Sequence, residues 1–420
     1  MLCAQQSLLL TLSCAVSFIQ NYKYLIVFAD SCPLIFECSE LAKLMRWTCT
    51  LVPIRGISSR VLPIDAHINC EFSSSIIPKH WEELSRWEKR LLGSWKNRRR
   101  SYSKRQWEIN RYLSKLNNAF QSQGRVVVPI GGKANGLARE SSDLDLVLVT
   151  HQSDAKRAEF DVKLKKVEHF RRSEMNRVAS TLRDFKLVDP SSVQQLLFSN
   201  VPIVKFRSPD GVNVDVQFNN VGSIRSTLFV KTCVETSMIV PFTVHWINSY
   251  FDELRLKDSR HGLFSSYHLN MLALHYLQAV PFSVIPTMIE CCPHLHPQYP
   301  WERVVEILRD EDVLEQLVPV VYAQQDASIA ETIIRMIDYY SQLDLQQTAI
   351  DISGRTYKRS EDTDDDGFIQ IIDPYFGEDL TVPRCNVLNG PSLIQQAFSV
   401  LKSELEMGNL RRLLRFRLPL

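Results

Sequence analysis

The sequence predicts an α+β chain, with strands gathered in its first half and a mostly helical region after them. Three observations carry this. Residues 212–218, VNVDVQF, alternate strictly between apolar and polar, the period of a half-buried strand. Two short runs, RVVVPI and LDLVLV, flank a glycine-bearing loop, and their β-branched residues favour strands. From about residue 222 to about residue 350, apolar residues recur every three or four positions, as they do in helices that bury one face.

Composition permits this architecture. The chain has 420 residues, 45% hydrophobic and 23% charged, enough for two or three domains with cores of their own. The net charge is +2, so no overall field advertises a polyanionic partner, and nucleic-acid contact must come from local patches. The ten cysteines include no CxxC pair, which reads as free thiols in a reducing compartment. CCPHLH at 291–296 lacks the two separated ligand pairs of a zinc site and reads as a turn between helices.

The elements follow in order. Residues 1–75 show no clear period. Their stretch SLLLTLSCAVSFIQNYKYLIVFADSCPLIF is apolar, but Gln20, Asn21 and Lys23 interrupt it and no basic residue precedes it. It is therefore expected to be an extension rather than a signal or membrane anchor. Trp81, Leu84, Trp87, Leu91 and Trp95 are spaced for a helix, with Pro78 in its first turn. The basic stretch KNRRRSYSKR (96–105) separates it from a second helix, QWEINRYLSKLNNAF. A strand, the glycine loop and the strand LDLVLV come next. Late in the chain, DISGRTYKRSEDTDDDGFIQIIDPYF gives a strand, a solvated acidic loop (361–366) and another strand. An amphipathic helix, SLIQQAFSVLKSEL, and a basic tail, RRLLRFR, complete the order. The expected domains are an extension (1–75), a sheet-bearing domain (76–230) whose first helix can pack on its neighbour, a helical domain (231–405) and a tail (406–420).

Asp143 and Asp145 raise the chemical question. Residues i and i+2 on a strand share a face, so the two carboxylates project together beside a run of Leu and Val. Both stay ionised there only with a cation or with solvent. A hard divalent ion suits such a pair; alone, DLD equally suits a solvent-facing edge strand. Gly131 and Gly132 allow backbone N–H groups to approach a phosphate. Asp215 lies on the polar face of the alternating strand with only Asn213 and Gln217. If that strand lies beside LDLVLV, three carboxylates meet, and such a triad can hold two metals.

The pattern GG, ten residues, DxD, then a later apolar-Asp-apolar strand resembles the nucleotidyltransferase superfamily of DNA polymerase β. SIRSTLFVKT, GLFSSYHLNMLALHYLQ (262–278), and IIRMIDYYSQLDLQQTAIDISGR with IQIIDPYF narrow the likeness over about residues 80–400. They are similar to cytoplasmic poly(A) polymerases of the germline-development type and to terminal uridylyltransferases. The resemblance implies a mixed sheet flanked by helices, followed by a helical central domain with a poly(A)-polymerase-associated region at about 328–385. It implies template-independent addition of AMP from ATP to messenger RNA 3′ ends, with Mg²⁺ or Mn²⁺ in a two-metal site. Asp143, Asp145 and Asp215 would hold the metals, and Asp215 would help deprotonate the RNA 3′ hydroxyl. Gly131, Gly132 and Ser266 would meet the phosphates, Ser226 and Thr227 the ribose, Tyr267 the base by stacking, and Asp373 the base edge. An RNA-binding partner, a cytoplasmic setting and no DNA or membrane partner belong to the same expectation.

Three features depart from the family. Gly132 stands where close relatives often have Ser, and Ser226 where they have Asn. Two lysines spaced i, i+4 on the helix after residue 241 normally meet the triphosphate, and a gapless reading puts Ile247 and Phe251 there; Lys231, Arg255 or Lys257 are the candidate replacements. The family's uridylyltransferases often carry a His after the DPF element. Here Asp379 falls near that position, which favours ATP. Addition of UMP, and a weakened or inactive homologue acting as a scaffold, are the alternatives.

Overall fold

The structure is a computed structural model that describes residues 24–29, 32–37, 63–64, 68–139, 141–199, 201–280, 282–319, 328–345, 347–359, 369–376 and 390–418. The acidic loop at 361–366 and Asp379 lie outside these. The chain divides into two compact units, Met1–Ser59 and Arg60–Leu420. In the first, β1 (Tyr24–Ala29) and β2 (Cys32–Glu37) pair antiparallel.

The second unit starts earlier than the sequence suggests. β3 (Pro63–Ile64) and helix α1 (Glu71–Lys79) are already part of it, and Phe72 and Ile76 are buried in its core. Pro78 sits near the end of α1 rather than at a helix start. The two helices expected on either side of the basic stretch are one, α2 (Trp81–Gln121), 41 residues long. Lys and Arg are good helix formers, so a cationic run interrupts the apolar period without breaking the helix. Leu84, Trp87 and Leu91 pack into one hydrophobic core, and Tyr112, Leu113, Leu116 and Phe120 into another.

After α2 come β4 (Val126–Ile130), the one-turn helix α3 (Gly132–Asn135), β5 (Leu144–Val149), α4 (Asp154–Lys166), α5 (Glu168–Asp184), β6 (Gln194–Leu196), β7 (Ile203–Arg207) and β8 (Asn213–Phe218). The five strands form one mixed sheet in the order β4-β5-β8-β7-β6. β5 and β8 are parallel neighbours, and the other pairs are antiparallel. A parallel pair needs a long crossover, which α4, α5, β6 and β7 supply. Leu144, Leu146, Leu148, Val214, Val216 and Phe218 face α4, α5 and the C-terminal half of α2. Val128, Ile130, Val147 and Val149 face the other way, into the helical core. Asp143, Asp145 and Asp215 share this second face.

The helical body contains α6 (Val221–Thr236), α7 (Ile239–Glu253), α8 (Ser266–Gln278), the short α9 (Met288–Cys291), α10 (Trp301–Arg309), α11 (Glu311–Leu317), α12 (Ile329–Gln342), α13 (Gly390–Glu406) and α14 (Arg411–Arg415). α6 and α7 are buried nearly all round, as central helices must be. A small sheet, β11-β9-β10-β3, joins β9 (Thr348–Asp351), β10 (Thr356–Lys358) and β11 (Ile371–Ile372) to β3. The basic tail folds back onto the body. Leu413, Phe416 and Leu418 are buried, Trp87 Nε1 donates to the Phe416 carbonyl at 3.3 Å, and Arg412 pairs with Glu404 at 3.1 Å.

Candidate active site

The parallel register aligns Asp145 on β5 directly with Asp215 on β8. The next register pair across the sheet sets Lys205 on β7 opposite Asp215. One row therefore runs Asp145–Asp215–Lys205 over three strands about 4.8 Å apart. Asp143 lies two residues before Asp145 on the same face, at the open end of β5. Lys205 Nζ forms an ion pair with Asp215, and Asn213 Nδ2 donates to Asp143 Oδ1 at 3.2 Å. Burial pushes the Asp145 carboxyl up to about 6, and the charges of Asp215 and Asp143 push the same way; Lys205 and Lys133 oppose them. Excess negative charge in a half-buried row is chemistry that fits a hard cation. In their present rotamers, no three His, Cys, Asp or Glu side chains among the described residues converge at ligating distance. Two of the three aspartates are instead held by Lys205 and Asn213.

The glycine loop abuts this row. Gly131 has φ +67°, and a Cβ there would lie 2.8 Å from Asp145 Oδ2. Its carbonyl accepts from Ala134 and Asn135, which closes the one-turn α3. A Cβ on Gly132 already sits 3.2 Å from the Ala138 backbone. The loop is also tied from behind, because Gly131 N–H donates to Thr227 Oγ1 at 3.1 Å and Thr227 donates to the Ser223 carbonyl at 2.7 Å.

From Thr227 the contacts continue through the neighbouring residue on α6. Ser226 Oγ donates to Tyr267 Oη at 3.2 Å, and Tyr267 donates to Asp373 Oδ2. Asp373 Oδ1 accepts the Tyr375 N–H at 2.8 Å. Burial raises Asp373 to about 6, against these hydrogen bonds. Tyr267 is partly exposed and stands edge-on to Phe376, with ring centroids 5.9 Å apart. Gly131, Thr227, Ser226, Tyr267 and Asp373 thus form one continuous wall, although 242 residues separate its ends. Ser265 is consumed as the N-cap of α8, while Ser266 is exposed beside Tyr267.

Lys231 and the two positions read against the family's lysines are buried. Lys231 is buried, its ammonium disfavoured by desolvation, and the charges acting on it are Glu311 and Glu235. Ile247 and Phe251 are both 0% exposed in the helical core, so a lysine at either position would be a buried charge rather than a phosphate ligand. Lys257 is different. It is half-buried, and its ammonium is disfavoured by burial and by the nearby Arg139, with Asp252 opposing. Arg139 belongs to the loop between Gly132 and Asp143, and its guanidinium reaches Ser249 Oγ on α7 at 3.5 Å. Arg255 is exposed and has φ +58°. Sequence reasoning missed Lys205, Asn213 and Arg139. Lys205 carried a signal, since IVKFR alternates and its polar member faces the Asp215 side once the strands are paired.

Comparison with known proteins bears on this geometry. Residues 85–235 match the central palm domain of the mitochondrial-like poly(A) RNA polymerases. Two relatives share the name Poly(A) RNA polymerase GLD2: the Danio rerio protein is 32% identical over 44% of this chain, and the Homo sapiens protein is 30% identical over 39%. Over this region the chain is similar to the GLD2-type poly(A) RNA polymerases. It spans 38% of the zebrafish relative's length and 33% of the human one's. A nucleotidyltransferase fold of the polymerase-β type extends over most of the chain. A solved GLD-2/RNP-8 complex aligns with 82% of it and 98% of the solved chain, at TM-score 0.52 and 18% identity. A cytoplasmic RNA terminal U-transferase aligns with 79% and 95%, at TM-score 0.50 and 14% identity.

Proposed function

We propose that the chain is a template-independent RNA 3′-end nucleotidyltransferase that adds AMP from ATP to messenger RNA in the cytoplasm. The observation that carries this reading is the register pairing of Asp145 with Asp215, with Asp143 on the same face and positive-φ Gly131 against Asp145. Two Mg²⁺ or Mn²⁺ ions held by the three aspartates would supply the charge that activates the 3′ hydroxyl and steadies the departing pyrophosphate. Asp215, the third carboxylate, accepts the hydroxyl proton at Oδ. The turn at Gly131, held by Thr227, brings the Gly132 backbone N–H to the triphosphate, and Ser266 is a further phosphate contact. Tyr267 offers a ring face to the base, while its hydroxyl is fixed by Ser226 and Asp373. Ser226 and Thr227 back the ribose position. With the α7 lysines absent, Arg139 and Lys257 supply the compensating positive charge, since two cations crowded together favour an anion between them. An RNA-binding protein partner selects the messages.

The test uses purified protein, Mg²⁺ or Mn²⁺, an oligo(A) primer and each labelled nucleoside triphosphate. A ladder with ATP alone, abolished in Asp145→Ala and in a folded Asp215→Asn, supports the proposal. A ladder with UTP replaces it by uridylyl transfer. No extension with any nucleotide, with or without a partner, leaves a scaffold.

A further inference from the structure

The Asp145–Asp215–Lys205 row has one member that the proposed reaction does not use. Lys205 is the register partner of Asp215 on β7, and its ammonium is ion-paired to that carboxylate, with side-chain exposures of 33% and 18%. Asn213, two residues before Asp215 on β8, holds Asp143 by a neutral hydrogen bond. The carboxylates that would share an ion are therefore not gathered around a point, and the Lys205 ammonium is paired with Asp215. We propose that Lys205 is the resident counter-ion of the acidic row, and that a divalent cation takes Asp215 only by displacing it.

The physical reason is local. Asp145 and Asp215 are adjacent across parallel strands, and Asp143 adds a third charge to the same face. Without a counter-charge the row repels itself, and part of it is shielded from water. The Lys205 ammonium at Asp215 offsets part of that repulsion, and its charge also acts favourably on Asp145. An ammonium offers single-point attraction from a flexible stem, whereas a divalent ion brings twice the charge to several oxygens. The ion therefore wins, but its affinity is reduced by the work of releasing Lys205. The neighbouring antiparallel strand fixes this competition, because any residue at 205 faces Asp215.

This inference rests on the metal-binding reading above, and its test does not use catalysis. Mn²⁺ binding is followed by electron paramagnetic resonance and melting by calorimetry, with the full chain and no nucleotide. Lys205→Met is expected to bind Mn²⁺ several-fold more tightly than the parent and to melt lower in metal-free buffer. Added Mn²⁺ raises its melting temperature by more than it raises the parent's. Lys205→Arg keeps the pair and stays near the parent in both. In an Asp215→Asn background the metal-free loss from Lys205→Met disappears, because the two side chains act through one contact; this arm holds even if Lys205→Met alone folds poorly. Unchanged or weaker Mn²⁺ binding in Lys205→Met overturns the proposal, as does a melting loss that persists with Asp215→Asn. If the parent and Lys205→Met both bind no Mn²⁺, the metal reading itself falls.

Discussion

Asp373 shows how one side chain joins stability to a site. It is 1% exposed, yet its carboxyl is held between Tyr267 and the Tyr375 backbone rather than beside a cation. Its folded value of about 6 lies above the ordinary carboxylate range. The folded chain thus holds this proton more tightly than the unfolded chain does. The resulting stabilisation is complete below about pH 4 and is lost as pH rises through about 6. Asp373→Asn removes the ionisation but keeps an acceptor for the Tyr375 N–H. The variant should therefore gain about 1–3 kcal/mol relative to the parent between pH 4 and pH 7. Urea unfolding at a series of pH values checks this; a difference that does not change with pH contradicts it. Gly131 is the second residue-scale case. Ala there meets an unfavourable φ of +67° and the end of the Asp145 side chain. The carboxylate is the flexible party, so it rotates away. Gly131→Ala should cost about 1–2 kcal/mol of stability and a much larger factor in nucleotide addition, read by unfolding and primer extension in parallel.

At the scale of elements, the strands were more legible than the helices. The alternation in β8 assigned Asp215 to the polar face, and burial follows that alternation residue by residue. The i, i+2 rule likewise put Asp143 and Asp145 on one side of β5. Neither pattern names the neighbouring strand, so the pairing of β5 with β8 came only from the family resemblance, and Lys205 went unseen. The split of α2 into two helices was wrong because the apolar period lapses between Trp95 and Ile109, where the helix passes from one core to the other. The gapless reading puts Ile247 and Phe251 on α7, a helix that contains no lysine in any register. That helix is buried on nearly every side, so the sequence holds no polar face from which to set its phase. A test at this scale concerns the start of α6. A Cβ on Gly222 would lie 2.7 Å from the Tyr375 carbonyl and 3.0 Å from the Phe376 ring. Gly222→Ala should push the 373–376 turn off α6. That turn carries Asp373 and braces Tyr267, so nucleotide KM should rise several-fold while the sheet carboxylates keep their place. An unchanged KM sinks this view of the turn.

Across the whole second unit, α2 is the common structural member. Leu84 is 0% exposed in the helical core and Leu116 is 1% exposed against the sheet. Leu→Ala at either position removes about 2–5 kcal/mol. Because one continuous helix serves both cores, both substitutions should shift the same calorimetric peak. Two separated peaks in Leu116→Ala would mean that the sheet and the helical body melt independently. A helix of 41 residues is about 60 Å long, rooted at one end beneath the sheet and at the other in the helical body. Any motion of the sheet relative to the helical body must flex this rod. Two lobes joined by a loose tether would drift through many spacings, whereas a bent strut resists displacement and favours a single one.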